Sequence, residues 1–280
     1  MGCGVSHNVY DDPKVIPLKP LFEALDINEN CIQKLYNIFR ICDASEDGLI
    51  SDIEVMVLLG MGNTPFMERV FRIFDTDNSG ELDFKEFVLA VYNYCTLGKE
   101  FLPYFAFSLY DLDAEDSITI YETQQMLRDI YGKSYDKNLV AVELAKTLQV
   151  RYGKSIDIKE FLHFSKANDR FLFPVYQVVS KLQEKFLGAK YWEKLIDDRV
   201  SFSNGKYVRF EDLLEKKYTE LAKVEEEHPS NKIRRKSIAK TIGQPIIAPK
   251  RNTAANIKRI SSPVNKKNSS KVHLGDFQKK

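Results

Sequence analysis

The segment DTDNSGELDFKE, Asp75 to Glu86, constrains the fold more than any other stretch of the chain. Asp75, Asp77 and Ser79 place side-chain oxygens at positions 1, 3 and 5 of a twelve-residue loop, and Glu86 closes it with two more. Glu81 offers its backbone carbonyl at position 7, and Asp83 at position 9 can act through water. Gly80 at position 6 supplies the positive φ of a sharp turn, and Leu82 at position 8 is free to pair with a partner loop. Six to eight oxygens in that order suit a hard cation, calcium above all. Apolar segments of helical period, MERVFRIF before and FVLAVYNY after, make the loop the middle of a helix-loop-helix unit.

The unit repeats. Upstream, DASEDGLISDIE sets Asp43, Ser45 and Asp47 at positions 1, 3 and 5, Gly48 at 6, the Leu49 carbonyl at 7 and Glu54 at 12. Fewer acids face the ion there, so the loop reads as a weaker site or as a purely structural one. Downstream, DLDAEDSITIYE offers Asp111, Asp113, Glu115, the Ser117 carbonyl and Glu122, with Thr119 at position 9. Asp116 stands where glycine belongs, which strains the turn without forbidding it. A fourth segment, QVRYGKSIDIKE (149–160), keeps Ile156 and Glu160 but carries Gln149, Arg151 and Gly153 at positions 1, 3 and 5. An arginine there would point where a cation sits, so the fourth loop reads as a non-binding scaffold for the third. The count is two to three calcium ions, with the second loop tightest.

Between and beyond the loops the chain is rich in i, i+3, i+4 apolar spacing, as in IQKLYNIFRIC (32–42), FLPYFAFSLY (101–110) and VYQVVSKLQEKFLGAKYWEKL (175–195). The fold class is therefore all-α. Four helix-loop-helix hands form two pairs joined by short β pairing between loops, followed by further helices. Charge divides the chain. His228 to Lys280 holds 14 Lys and Arg against the single acid Asp276, leaving 27 bases and 39 acids, a net −12, for residues 1–227. The tail has no Tyr or Trp and four of the ten prolines, too little apolar surface to offset chain entropy, and reads as disordered. The expected segments are an N-terminal arm (1–29), a first hand pair (30–96), a second (97–170), a helical extension (171–227) and the basic tail (228–280).

No apolar run is long enough to span a bilayer, and the N-terminus lacks a secretory h-region, so a cytosolic protein is expected. Cys3, Cys31, Cys42 and Cys95 form no CxxC pair and read as reduced thiols. No HExxH, GxSxG, Walker loop or dinucleotide fingerprint occurs. Ser134 with Lys137 fits SxxK, but the spacing recurs at Ser203 and Lys206 without partner motifs. The chain reads as a non-enzyme.

Four hands in sequence, with Asp75 to Glu86 complete, resemble the calcineurin B, calcineurin B-like and neuronal calcium sensor branch of the EF-hand superfamily over about residues 30–170. The start MGCGVS resembles it too, since those families carry N-myristoyl glycine and the plant members a neighbouring palmitoyl cysteine. The resemblance implies a calcium sensor that exposes an apolar groove on binding and docks an amphipathic helix of a phosphatase, kinase or channel. A calcium buffer without target, and a regulatory subunit of a phosphatase or kinase, remain open beside it. On its own chemistry, M-G-x-x-x-S makes Gly2 an acyl acceptor with Ser6 at the required spacing. One chain binds membranes only marginally, about 10⁴ M⁻¹, and Cys3 is placed for the second signal. The expected location is cytoplasmic, peripheral on the cytosolic membrane face. The basic tail reads as a lipid contact, a nuclear address or a solvated segment, and RRKS offers Ser237 to a kinase. The stretch 233–247, mixed apolar and basic, is expected to compete with targets for the acidic body. An acidic body and a tail almost without aromatics argue against nucleic-acid binding.

Overall fold

The computed structural model describes residues 8–111 and 115–227. Residues 1–249 and 250–280 separate into two units, the second lying wholly outside the described residues. Gly2, Cys3, Asp113, Ser237 and the competing stretch 233–247 also lie outside them.

The first hand is α2 (Glu29–Cys42), β1 (Ile50–Ser51) and α3 (Asp52–Leu59); the second is α4 (Pro65–Phe74), β2 (Glu81–Leu82) and α5 (Phe84–Cys95). Local chemistry sets the ends. The Asn28 side chain caps α2 by accepting from the Cys31 N–H at 3.0 Å, and Thr64 caps α4 ahead of Pro65, which fits the first turn because it needs no N–H there. Gly60, left-handed at φ +60, ends α3. β1 and β2 pair antiparallel with Ile50 opposite Leu82, the two position-8 residues, both buried.

The second pair follows with α6 (Leu102–Tyr110), β3 (Ser117–Thr119) and α7 (Ile120–Tyr131), then α8 (Leu139–Tyr152), β4 (Ser155–Asp157) and α9 (Ile158–Ala167). Again the position-8 residues, Ile118 and Ile156, sit opposite each other. The architecture is thus four EF-hands in two pairs, as the repeat implies. A buried ion pair joins the pairs: Arg69 Nε on α4 lies 3.1 Å from Asp129 Oδ2 on α7, with the two side chains 13% and 5% exposed. No helix among the described residues is long and apolar enough to cross a membrane.

Two parts of the core lie outside the repeat. Ahead of α2, Val9, Val15, Leu21, Phe22 and Leu25 are buried, the last three in or beside α1 (Lys19–Ala24). They are tied to α2 by the Val9 N–H donating to Gln33 Oε1 and the Tyr36 hydroxyl donating to Asp12 Oδ2. The N-terminal arm is therefore folded from about Val9 onward. Beyond the hands lie α10 (Phe173–Lys185), α11 (Ala189–Phe202) and α12 (Phe210–Glu227). The apolar run 175–195 is broken between α10 and α11 by Leu187 at φ +65 and Gly188 at φ +83. Trp192, Leu213, Leu214 and Tyr218 of this extension are fully buried in one hydrophobic cluster with the hands. Two extension cations are buried where they grip the rest of the fold. Arg199 donates to the Asn93 carbonyl, to Asn93 Oδ1 and to the Thr96 hydroxyl at the end of α5, and Lys217 donates to Asp26 Oδ2 at 2.8 Å.

Candidate metal centre

Loops one to three share one backbone frame. At position 6, the N–H groups of Gly48, Gly80 and Asp116 donate to Asp43, Asp75 and Asp111 Oδ2 at 2.9, 3.0 and 3.2 Å. At position 5, Asp47, Ser79 and Glu115 donate to the other oxygen of the same aspartates at 3.2, 3.0 and 3.1 Å. Each position-1 carboxylate is thus held by its own loop. Asp116 adopts φ +58, taking the left-handed turn where the first and second loops have Gly48 and Gly80, and Arg209 Nη2 pairs with its carboxylate at 2.8 Å.

Only the second loop, among the described residues, brings three acidic side chains together with their oxygens within 4.8 Å of one another: Asp75, Asp77 and Glu86. Asp75 and Glu86 are each 6% exposed, and Ser79 Oγ lies 2.8 Å from the Glu81 carbonyl, so the position-5 and position-7 oxygens are neighbours too. Glu86 reaches back across the loop, accepting from the Thr76 N–H and hydroxyl and from the Asp77 N–H. Burial pushes the Asp75 and Glu86 carboxyls above the usual carboxylate range, while the hydrogen bond from Ser79 holds Asp77 below it. Two buried anions beside a third repel one another, and this oxygen-only donor set fits a hard dication. Asp75, Asp77, Ser79, the Glu81 carbonyl and Glu86 would hold calcium, which supplies charge compensation and a shared centre for the two ends of the loop.

The first loop has the same outline with less charge at its focus. Asp43 is buried, and Glu54 accepts from the Ala44 N–H at 3.0 Å and from the Ser51 N–H and hydroxyl. Burial pushes the Glu54 carboxyl up, but those hydrogen bonds outweigh it and leave it below the usual range. A Cβ on Gly48 would lie 3.4 Å from Lys14 Nζ, so a cation of the chain borders this loop. Ser45 Oγ donates to Asp43 Oδ1, and Leu49 donates its N–H to Asp47 Oδ1. In the third loop Glu122 is buried and accepts from the Thr119 N–H and hydroxyl, and Ser117 begins β3.

The fourth hand departs from its expected shape. Gln149 to Tyr152 belong to α8, so loop positions 1 to 4 are helix, and the turn to β4 is made at Gly153, φ +72. Arg151 does not fill an ion position; it is exposed, with Nη2 3.0 Å from Nε2 of the exposed His163. The run QVRY has no residue that stops a helix, and this is the signal a count from glutamate to glutamate overlooks.

One device is common to all four hands. Ser51 with Glu54, Asp83 with Glu86, Thr119 with Glu122, and Asp157 with Glu160 each form a capping box at the start of the exit helix. The position-12 glutamate is therefore also the residue that satisfies an orphan N–H at position 9.

Residues 32–92, the first and second hands, match the family described as EF-hand domain pair. Calcineurin B of Candida glabrata is 30% identical over 120 residues, 42% of this chain and 69% of that protein. The chain belongs to the calcineurin B family of EF-hand proteins. Calcineurin B type 2 of Homo sapiens is 36% identical over 104 residues, 37% of this chain, and calcineurin B of Naegleria gruberi is 33% identical over 104. The chain spans 61% of the human relative's length and 59% of the Naegleria protein's. Membership in this EF-hand family implies calcium binding.

The buried carboxylates give that binding a pH dependence. A raised pKa means that Asp75 and Glu86 hold protons more tightly than ordinary acids, so protons compete with calcium. Binding should release protons and weaken as pH falls through their raised range. Without the ion these two groups favour the fold more as pH falls and less as it rises through the same range. Calorimetry at about pH 5 and about pH 7, in buffers of different ionisation heat, checks this; equal affinities without proton release would refute it.

Proposed function

We propose that the chain is a calcium-binding regulatory subunit that turns over no substrate itself and docks an amphipathic helix of a phosphatase catalytic chain. The convergence of Asp75, Asp77 and Glu86 carries the reading, in a chain whose relatives bear the name calcineurin B. Calcium at the second loop would tie Glu86 at the head of α5 to Asp75 at the end of α4, and so fix the angle between the two helices. Such a change alters the apolar surface offered to a partner helix. Sites at the first and third loops, Asp43 to Glu54 and Asp111 to Glu122, bring the count to three at most. Acylation at Gly2 and Cys3 would hold the assembly on the cytosolic face of a membrane.

The test is capture by tagged full-length chain with calcium or with chelator, followed by phosphatase assay of the eluate. A calcium-dependent phosphatase supports the reading. Calcium binding without a bound chain would make the protein a buffer, and a kinase or channel in its place would redirect the partner class. In the same cells, Gly2→Ala should release a fluorescent fusion from membranes; unchanged localisation would exclude the acyl anchor.

A further inference from the structure

The face of the first hand pair that would receive a partner helix is covered by the chain itself. α10 packs on α3, α5 and α6, and thus bridges both hand pairs. Along one side of α10, Val175, Val178, Val179 and Leu182 are buried, a spacing of i, i+3, i+4 and i+7, and Phe186 follows as its C-cap residue. Leu182 and Phe186 line a small apolar recess together with Val55, Leu59, Phe74, Leu82, Phe87 and Val91. The Phe186 ring meets that of Phe87 edge-on at 5.2 Å. The space left over is about 10 Å³, at most one water, with no polar lining.

Polar contacts fix the helix at its exposed edge. Lys181 Nζ donates to the Leu59 and Gly60 carbonyls, the C-terminal end of α3, where a cation is favourable. Gln183 Nε2 donates to the Cys95 carbonyl at 2.9 Å. Arg199 then ties α11 to the same end of α5.

Apolar anchors at helical spacing in a groove are the recognition mode of a docked target helix. We propose that α10 is the groove's resident ligand, supplied in cis, and that a partner helix binds by taking its place. This rests on the regulatory reading above and specifies it. The partner helix should carry aliphatic residues at i, i+3, i+4 and i+7 and an aromatic at i+11. A tethered segment acts at an effective concentration of about a millimolar, so a free helix of equal intrinsic affinity binds poorly to the intact chain. Its apparent affinity is reduced by the small fraction of molecules with α10 released.

The probe is a labelled peptide of residues 172–187, titrated into calcium-loaded full-length protein and followed by fluorescence anisotropy. Lys181→Ala with Gln183→Ala removes the edge contacts and leaves the buried side of α10 untouched. The double variant should bind the peptide about tenfold more tightly than the unmodified chain. Because altered chains can lose structure, the unmodified chain is also studied by hydrogen exchange with about a millimolar peptide. The amides of α10 should then lose protection while those of α4 and α5 keep theirs. Equal peptide affinity in both proteins, or α10 protection unchanged by the peptide, would overturn the proposal. A calcium titration of the same samples separates the two readings. Peptide exchange indifferent to calcium keeps α10 as cis ligand and removes calcium control; calcium binding without peptide exchange does the reverse.

Discussion

Glu86→Gln is expected to abolish the tightest calcium site while leaving the fold in place. Glu86 is one of three carboxylates that converge in the second loop, and it is buried, so its loss removes a charge that water does not replace. Truncating one partner of a buried, hydrogen-bonded charge pair costs about 2–5 kcal/mol, a fall in affinity of at least about 30-fold. Glutamine preserves the shape, and its one carbonyl can still accept from Thr76 and Asp77 as Glu86 Oε1 does, while the weaker capping bond that Oε2 takes from the Asp83 N–H is given up. Calorimetry should therefore lose its high-affinity step with no change in the far-ultraviolet circular dichroism of the calcium-free protein. Glu160→Gln is the matched control, because α8 runs through the first four positions of its loop, and it should change no isotherm. A calcium step surviving in Glu86→Gln, or lost in Glu160→Gln, would contradict the placement of the site.

The loops were readable because each position has a chemical duty. Asp75, Gly80, Leu82 and Glu86 could be assigned in order, and Ile50 opposite Leu82 and Ile118 opposite Ile156 follow from position 8 alone. Asp116 in a left-handed turn was readable for the same reason. Burial of the extension was foreshadowed by its apolar spacing, but periodicity names the face that is covered and not what covers it. Hence α10 reads as a generic amphipathic helix, and its place against Phe87 and Leu82 appears only in three dimensions. The N-terminal segment is harder still. Val9 and Phe22 lie in a short 3-10 turn and a short α-helix and Val15 precedes another 3-10 turn, with prolines between, and no single period marks them.

The second large effect concerns the extension. Trp192→Ala should destabilise the whole described fold by about 3–5 kcal/mol, the range for emptying a large aromatic site in a packed core. Trp192 is fully buried, its ring meets Tyr191 edge-on at 5.0 Å, and its indole N–H donates to the Phe186 carbonyl where α10 ends. Its loss would therefore loosen the α10–α11 junction as well as leave a cavity. Because the extension shares one hydrophobic cluster with the hands, urea unfolding followed by circular dichroism should shift as a single transition to lower denaturant. In the unmodified chain the fluorescence of this single tryptophan should follow the same curve. A loss below about 1 kcal/mol, or a separate early transition confined to the extension, would show that the extension folds independently of the hands.

The capping boxes divide the EF-hand motif into two halves with different obligations. The front half, positions 1 to 6, exists for the ion, and in the fourth hand most of it has been absorbed into α8. The rear half, from the paired strand residue to the terminal glutamate, remains there intact as Ile156, Asp157 and Glu160, because strand pairing and the start of α9 depend on it with or without a metal. A terminal glutamate in such a chain thus serves architecture whether or not it also holds an ion, as Glu86 would, and the residues before the glycine position are what tell the two cases apart. Inactive hands in proteins of this kind should then be worn from the front and kept from the back, so that a surviving half-motif locates a hand even where no ion was ever held.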